Sequence, residues 1–588
     1  MQIPASWRWS NGSSNKSPSS ASHVLEPAED DPNLKLPHRN TTVDYLHGDV
    51  YDAQPTAVEL EWEINTSEMP YLKHIKTSSL AWPHLRYLAQ WMEVTTSPVK
   101  WQLIRDHPNL AEIRAERARR TKVAAVDFVP DQPEPGVREI TDAGELAQSL
   151  DAPPPRGISR LYIVEDLSRD VVETLGARLD IDPLFFREHI NDYLWYNVQD
   201  PWVELPDLDI VSRARRYFRL MYVQPRYFKN PQSLKKAQLQ AGNFNVLRRL
   251  DDDRAHASLF DQDGGTVALV RSKVSLWLRP AAEGQGTVGV LLIDPSITEG
   301  YPLWNGYRPF QTSPPPSDRT VYTAQPRTKL YDDVLFWINK MSQEDINAAK
   351  DNPMAMAFRI SQIICAEWLT LGRYITARLG QIEWEIERPD FRLNSNYFNE
   401  SLTKLHTWRR RLPLYKDMVG DTRKKLFPPV PPSPSDSSSS STPTPKAKKD
   451  CMDALRADFA IVAGHIDDLL SRTERIAAVA TAVTAIEESR RAVEQNKALG
   501  RLTYLAVIFA PLSFISSFFS MSENVADLSN TFWIYFAVAI PVSLVVFLVV
   551  DLNWTDSLKA FFDRTGVKGR VGVKGRGPGG GAGGRKKR

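Results

Sequence analysis

Residues 502–521 read LTYLAVIFAPLSFISSFFSM, and residues 532–550 read FWIYFAVAIPVSLVVFLVV. Neither run contains a charged residue. A helix needs about 20 predominantly apolar residues to cross the roughly 30 Å hydrocarbon core of a bilayer, and each run meets that length. Because only the ten residues SENVADLSNT, 522–531, separate the runs, the sequence predicts a hairpin of two transmembrane helices at 502–521 and 532–551.

The charges around this hairpin predict its orientation. Lys497 and Arg501 precede the first run, and ten Lys and Arg residues follow Asn553 against two Asp residues. The turn between the runs holds Glu523 and Asp527 and no basic residue. Since cytoplasmic flanks carry an excess of Lys and Arg, we expect both termini in the cytoplasm and the turn outside. We place the hairpin in the plasma membrane rather than in an organelle membrane.

The composition of the 588 residues excludes several classes of protein. A formal net charge of +2 argues against general nucleic-acid binding. Cys365 and Cys451 give no metal-binding spacing and fit a reducing compartment. The N-terminus lacks an apolar signal core, so we expect no cleavable signal peptide. No HExxH, Walker A or nucleophile-elbow motif occurs, and the sequence predicts neither an enzyme nor a resident cofactor.

The rest of the chain divides by composition into a mixed α/β domain and a long helical part. Candidate strands bounded by Gly, Pro and Asp clusters are Arg160–Val164, Tyr217–Val223, Phe244–Leu250, Val267–Leu278 and Val288–Ile293. Candidate helices are 168–179, Tyr331–Lys340, Met354–Glu387, Asn396–Lys425 and Met452–Met521. The predicted segments are a disordered N-terminus (1–45), the α/β cytoplasmic domain (46–330), its helical part (331–427), a Pro/Ser-rich linker (428–449), a stalk helix (450–501), the external acidic loop (522–531) and a basic, Gly-rich cytoplasmic tail (552–588).

The stalk carries an apolar seam with spacings of four and three, as in a coiled coil. Its members are Leu455, Phe459, Val462, Ile466, Leu469, Thr473, Ile476, Ala480 and Val483. Two partners can cover such a seam: other helices of the same chain, or other copies of the chain around an axis.

Small and hydroxyl-bearing residues form a stripe along the first transmembrane run. Thr503, Ala506, Ala510, Ser513, Ser517 and Ser520 fall at spacings of three and four, within an arc of about 100° on a helix. Such a stripe fits two interpretations. It can be a close-packed helix interface, where small residues let backbones approach, or one wall of a pore whose hydroxyls replace water around an ion.

The sequence QNKALGRLTYLAVIFAPLSFISSFFSM, residues 495–521, resembles the pore helix of the CorA family of divalent-metal transporters. The likeness lies in Asn496, Leu502-Thr503, the stretch IFxPLSFI at 508–515, and Met521. A short external loop, an aromatic start to the second helix, a basic tail and a long stalk also fit this family. The stretch 160–190, RLYIVEDLSRDVVETLGARLDIDPLFFREHI, is similar to the opening of its cytoplasmic domain.

The resemblance implies a CorA-like fold, with an α/β cytoplasmic domain, a long helical stalk and a two-helix transmembrane hairpin. It implies a homo-oligomer, a pentamer in this family, that lies in the lipid bilayer and passes a divalent cation, Mg²⁺ or Zn²⁺, into the cytoplasm. The pore-lining residues would be Asn496, Leu499 and Leu502 as an inner constriction, followed by the stripe Thr503, Ala506, Ala510, Ser513, Ser517 and Ser520. The pore entrance would comprise Met521, Ser522, Glu523, Asn524 and Asp527.

The sequence departs from the family at this entrance. Ser520-Met521-Ser522 stands where the family has Gly-Met-Asn, so the Asn amide that contacts hydrated metal is missing unless Asn524 replaces it. Mg²⁺ dehydrates reluctantly, and the change therefore affects the expected selectivity. The alternative is that the chain does not conduct ions. It would then be a membrane-anchored relative of the family whose cytoplasmic domain binds other proteins or regulates them. Two acidic runs, Asp251–Asp253 and Asp467-Asp468, are either a regulatory metal site between subunits or solvated surface.

Overall fold

The computed structural model describes two compact units, Met1–Ala478 and Val479–Arg588. The described residues are 9–10, 24–25, 66–79, 81–82, 84–94, 108–190, 207–253, 264–282, 284–317, 323–387, 395–427, 451–520 and 533–546. Most of the predicted disordered N-terminus, the Pro/Ser-rich linker, the external loop and the basic tail lie outside these residues.

The first unit is built on a mixed sheet. The strands are β1 (Trp9–Ser10), β2 (Val24–Leu25), β3 (Lys122–Phe128), β4 (Gly136–Ile140), β5 (Ser159–Glu165), β6 (Tyr217–Phe228), β7 (Arg249–Asp252), β8 (Thr266–Arg279), β9 (Thr287–Ile293) and β10 (Tyr301–Pro302). Strands β1 and β2 form a separate antiparallel pair. The main sheet has the order β10-β6-β8-β9-β5-β3-β4, and β7 pairs with β8 beside this path. Among the described strands of this sheet, β5 and β9 are the only neighbours that run parallel.

The helices are distributed over both units. They are α1 (Pro70–Ser78), α2 (Leu85–Val94), α3 (Leu110–Arg120), α4 (Ala143–Asp151), α5 (Arg169–Leu179), α6 (Pro183–His189), α7 (Asp209–Ala214), α8 (Pro231–Asn243), α9 (Leu330–Ile338), α10 (Gln343–Asp351), α11 (Phe358–Glu387), α12 (Ser395–Leu426) and α13 (Cys451–Phe519). A shorter apolar helix, α14, spans Trp533–Val546. Three 3₁₀ turns cover Thr66–Glu68, Leu303–Asn305 and Pro353–Ala357.

Both faces of the sheet are buried, which explains the nearly continuous apolar strands. Tyr162 and Val164 of β5 belong to a core shared with α1, α2, α4, α5 and α6. Leu161 and Ile163 alternate with them and are buried as well, but outside that core. Successive side chains of a strand point to opposite faces, so helices must cover both sides of this sheet.

Polar residues fix where the helices begin. Asp142 accepts a hydrogen bond from the N–H of Glu145 at 2.8 Å, and Glu145 accepts one from the N–H of Thr141 at 2.8 Å. This reciprocal capping satisfies amides that the first helical turn leaves unpaired. Asn230 caps α8 in the same manner through the N–H of Ser233 at 2.8 Å.

Most predicted elements are confirmed within a few residues, with one clear exception. Phe244–Leu250 does not form a strand; β7 begins only at Arg249. The N–H of Val246 donates to the Asp166 carboxylate at 3.0 Å, and the N–H of Arg248 donates to the carbonyl of Ala241 at 3.2 Å. The backbone donors of this stretch are therefore used by other segments and cannot form a sheet ladder.

The first part of α13 packs against α11 and α12 of its own chain. Leu455, Phe459, Ile466 and Ile476 are buried, as are the other seam members up to this point. Ion pairs flank the seam: Arg472 with Glu383, Arg409 with Glu474 and Lys416 with Asp467. The seam could pack against helices of the same chain or against other copies of the chain. Helices of the same chain cover it from Leu455 to Ile476.

Two helices among the described residues are long and apolar enough to cross a membrane. In Pro353–Glu387, 67% of the apolar stretch is buried, as expected for the core helix of a soluble unit. In α13, only 6% of the corresponding stretch is buried. Burial therefore distinguishes the two helices. The low burial of α13 fits the predicted membrane hairpin.

Candidate functional site

The second unit contains the apolar part of α13 together with α14. The two helices contact each other through Tyr535, whose hydroxyl donates to the carbonyl of Leu512 at 3.3 Å. Ile515 on α13 is 7% exposed, and Ala539 on α14 is fully buried. From the sequence, Tyr535 is only one of the aromatic residues that open the second helix, and no pattern indicates its bond to Leu512. This contact defines which side of α13 packs on α14.

The predicted stripe lies on the other side of α13. All its members are exposed in the single chain: Thr503, Ala506, Ala510, Ser513, Ser517 and Ser520. At about 100° per residue, Ser513 and Ser517 each lie about 160° around the helix from Ile515. The outer half of the small and hydroxyl-bearing face, from Ser513 to Ser520, therefore points away from Ile515 and its contact with α14.

The predicted inner constriction continues the same face. Asn496, Leu499 and Leu502 are exposed, with Leu499 at 59% and Leu502 at 65%. At about 100° per residue, all three fall on or beside the arc of the stripe. The structure thus brings the nine predicted pore-lining residues to one exposed face of α13. We call it the hydroxyl face; its inner end consists of the Asn496 amide and the side chains of Leu499 and Leu502.

One end of the hydroxyl face also borders an apolar groove beside α14. The groove has a volume of about 540 Å³ and shares Thr503, Ala506 and Ala510 with the face. Its other lining residues are Val507, Pro511, Phe514, Ile515, Val542 and Val546. Ser513, Ser517 and Ser520 do not line this groove, so the outer half of the face is separate from it.

The chemistry of the face follows from its hydroxyl groups. The Thr503 hydroxyl donates to the carbonyl of Leu499, one turn earlier, at 3.0 Å. Because its proton points back along the helix, the oxygen lone pairs stay available to accept hydrogen bonds. The water molecules around a hydrated cation are hydrogen-bond donors toward their surroundings. A row of hydroxyl acceptors is therefore suited to a cation that keeps its water.

The predicted entrance residues lie outside the described residues. These are Met521, Ser522, Glu523, Asn524 and Asp527. Their roles remain predictions from the sequence.

The acidic run at 251–253 is buried inside the first unit. Asp251 accepts from Nε of Arg271 at 3.0 Å. Asp253 accepts from Nη1 of Arg411 at 3.2 Å and from the Tyr374 hydroxyl at 2.5 Å. Asp251 and Asp253 are thus engaged in internal ion pairs and hydrogen bonds. The two interpretations considered for this run, a metal site between subunits and solvated surface, are wrong for these two carboxylates.

The second acidic run is on the surface. The Asp467 carboxylate lies 2.9 Å from Nζ of Lys416, and both side chains are 54% exposed. Within the described part of the chain, no group of three or more His, Cys, Asp and Glu residues could hold a metal ion.

Comparison with known protein families finds one that matches the C-terminal part of the chain. Residues 318–555 match the family model described as CorA-like Mg²⁺ transporter protein. The resemblance drawn from residues 495–521 is thereby confirmed, and this part of the chain is CorA-like. The matched model describes a transporter of Mg²⁺ and not an enzyme, in agreement with the expectation for this part of the chain.

A solved structure with which the chain shows similarity is the CorA magnesium transporter from Methanocaldococcus jannaschii. The sequences are 10% identical, the TM-score is 0.32, and the similarity covers 73% of this chain and 96% of that chain. No curated protein matches the sequence. The described α/β unit, the long helices and the two apolar C-terminal helices agree with the predicted CorA-like architecture.

Proposed function

We propose that the chain forms a homo-oligomeric channel that carries a divalent cation into the cytoplasm, and that this cation is Mg²⁺. The observation that carries this proposal is the hydroxyl face of α13. Its members from Asn496 to Ser520 are exposed in the single chain, and its outer half, Ser513 to Ser520, lies away from the contact with α14.

A face of this kind needs a partner inside a bilayer. Lipid offers hydroxyl groups no hydrogen bonds, so the face must meet either protein or water. Several copies arranged around an axis supply both, because each contributes one wall to a central aqueous path. We take the subunit number as five, from the family resemblance.

The stalk supports assembly from several copies. Val479, Ile486 and Val493 follow one another at intervals of seven residues and are 52%, 68% and 50% exposed. A heptad of exposed apolar residues is typical of a helix that packs against a neighbouring helix. This part of α13 belongs to the second unit, and the three side chains stay largely exposed in the single chain.

The path would combine three kinds of ring. Glu523 and Asp527, repeated around the axis, would concentrate cations at the outer mouth. The hydroxyls from Ser520 to Thr503 would accept hydrogen bonds from the hydrated ion. Leu499 and Leu502 would form a narrow apolar ring that can close by dewetting, as hydrophobic gates do.

The membrane potential can drive this transport. Moving one elementary charge across 100 mV releases about 2.3 kcal/mol, so a divalent cation gains about 4.6 kcal/mol. An inside-negative membrane with the predicted topology therefore favours entry into the cytoplasm without ATP. The Ser520-Met521-Ser522 entrance would contact the ion through hydroxyls rather than an amide.

The entrance acids provide a test in cells that lack their own Mg²⁺ uptake. Expression of the chain should restore uptake, and competing divalent cations should reveal the preferred ion. The double variant Glu523→Gln, Asp527→Asn should need a higher external concentration for half-maximal uptake, because the local cation concentration falls with the acidic charge. Asp556→Asn, on the predicted inner side, is the matched control and should behave as the unaltered chain.

Two outcomes would contradict the proposal. If an oligomer reaches the membrane and uptake does not exceed that of cells without it, the chain is better explained as a non-conducting anchor. If both charge variants lower uptake equally, the acidic loop has no special place at the outer mouth.

A further inference from the structure

A small polar cavity lies inside the first unit. It is about 40 Å³ in volume and is enclosed by β6, the segment that follows β9, the start of α9, and α11. The lining residues used in the argument are Tyr222, Arg226, Arg248, Asp294, Asp333 and Glu367. About 10–15 Å³ is needed for one water molecule on this measure, so the cavity has room for about three waters or one small ion.

Arg226 is a buried cation without an anionic partner. Its side chain is 9% exposed and lines the cavity. Its Nε donates to the carbonyl of Glu299 at 2.5 Å, and its Nη2 donates to the carbonyl of Gly300 at 3.2 Å. Both acceptors are neutral, and no carboxylate lies within ion-pair distance among the described residues. A desolvated guanidinium is stable in a protein interior when a negative charge compensates it.

A second cation increases this demand for negative charge. Arg248 also lines the cavity, and its Nε lies 3.4 Å from the carboxylate of Asp294. Burial, with the positive charge of Arg248 added to it, lowers the pKa of Arg226 to about 10. Although Glu367 and Glu299 act in the opposite direction, they do not restore the usual pKa.

The acids around the cavity do not supply the missing charge. Asp294 is already paired with Arg248. Asp333, in the first turn of α9, accepts a hydrogen bond from the N–H of Arg327 at 2.7 Å. Burial raises the pKa of Asp333 to about 6. Burial likewise raises the pKa of Glu367 to about 7, which reduces the negative charge that this carboxyl offers to Arg226.

A neutral donor completes the lining. Tyr222 is fully buried and lines the cavity, and within the described part of the chain its hydroxyl makes no hydrogen bond of ordinary geometry, although the Ser272 hydroxyl lies close enough to influence its pKa. Burial raises its pKa far above neutrality, so the group keeps its proton and can donate it. An unsatisfied buried hydroxyl costs free energy that a ligand atom in the cavity would recover.

We propose that this cavity binds one small oxyanion, with orthophosphate as the representative ligand. Arg226 would supply the charge and Tyr222 a hydrogen bond. Because the lining residues come from β6, α9 and α11, a bound anion would hold the sheet and the helical part of the unit together. The site shares no residue with the hydroxyl face, so its existence does not depend on transport.

The test is equilibrium dialysis of the full-length chain in detergent against radiolabelled orthophosphate, at constant ionic strength set with KCl. The unaltered chain should bind about one phosphate per chain at saturation. Tyr222→Phe removes only the hydroxyl and should weaken binding about tenfold, the effect of one hydrogen bond to a charged group. Arg226→Gln should abolish saturable binding. Lys236→Gln removes a charge from the exposed face of α8 and should leave binding unchanged.

Three results would overturn the proposal. The first is no saturable phosphate binding by the unaltered chain, which would leave only water in the cavity. The second is equal binding by the Tyr222→Phe variant and the unaltered chain. The third is a loss of binding in Lys236→Gln as large as in Tyr222→Phe, since this would indicate general charge screening. Tyr222→Phe keeps its ring in the core, so it decides the question even if Arg226→Gln does not fold.

Discussion

Ser513→Leu should reduce divalent-cation flux about tenfold or more without preventing assembly. Ser513 lies on the hydroxyl face, about 160° around α13 from Ile515, which is buried beside α14. The substitution replaces a hydrogen-bond acceptor by a branched apolar side chain. Repeated in every subunit, it would form an apolar ring that excludes water and raises the barrier for a hydrated ion. The measurement is the rate of Mg²⁺ entry into liposomes that contain equal amounts of each protein.

The matched control is Ser516→Leu. This serine is in the same helix and is also exposed, but it falls just outside the stripe. It should retain most of the flux. Chemical cross-linking of both variants should show the same oligomer. Equal loss of flux in both would mean that leucine disturbs the helix generally. Unchanged flux in Ser513→Leu would contradict the assignment of this face to a pore.

Asp253→Ala should lower the free energy of unfolding of the first unit by about 3–5 kcal/mol, the usual cost of removing one partner of a buried ion pair. Asp253 follows β7 directly and is 3% exposed. Its two oxygens accept from Arg411 on α12 and Tyr374 on α11. Without the carboxylate, the Arg411 charge stays buried and the bond from the Tyr374 hydroxyl is lost. Thermal or denaturant unfolding followed by tryptophan fluorescence measures the change.

Asp467→Ala is the control for this prediction. Its carboxylate also pairs with a basic residue, Lys416, but both side chains are 54% exposed. Exposed pairs contribute about 0–1 kcal/mol, so this variant should unfold almost as the unaltered chain does. If the two alanine variants differ by less than about 1 kcal/mol, Asp253 does not connect the sheet with the helices as described.

The elements with a clear pattern could be predicted from the sequence, and those that depend on distant partners could not. The apolar strands β5, β8 and β9 and the long helices follow from periodicity alone. Strand β3 carries Ala124 and Ala125, which are poor strand formers, and it exists because it pairs with β4 and β5. The stretch 244–250 has strand-like composition, yet hydrogen bonds to Asp166 and Ala241 draw it out of the sheet.

The candidate site was predictable for a similar reason. The spacing along one helix is enough to place Thr503 and Ser520 on a common face. Spacing does not say which side of that helix meets α14; the contacts of Ile515 and Tyr535 supply this. The acidic run at 251–253 looks like surface in the sequence, and only the basic residues folded around it reveal its burial. The cavity around Arg226 joins residues from several segments that are far apart in the sequence, and it leaves no local signal.

The most direct test of the central claim is cation entry into liposomes that contain only this purified chain. An inward Mg²⁺ gradient should produce entry that a trapped indicator can follow. An inside-negative potential should accelerate it, because each divalent cation gains about 4.6 kcal/mol per 100 mV. Reversing the potential should slow entry. A folded, oligomeric protein that passes no divalent cation under either potential would contradict the account.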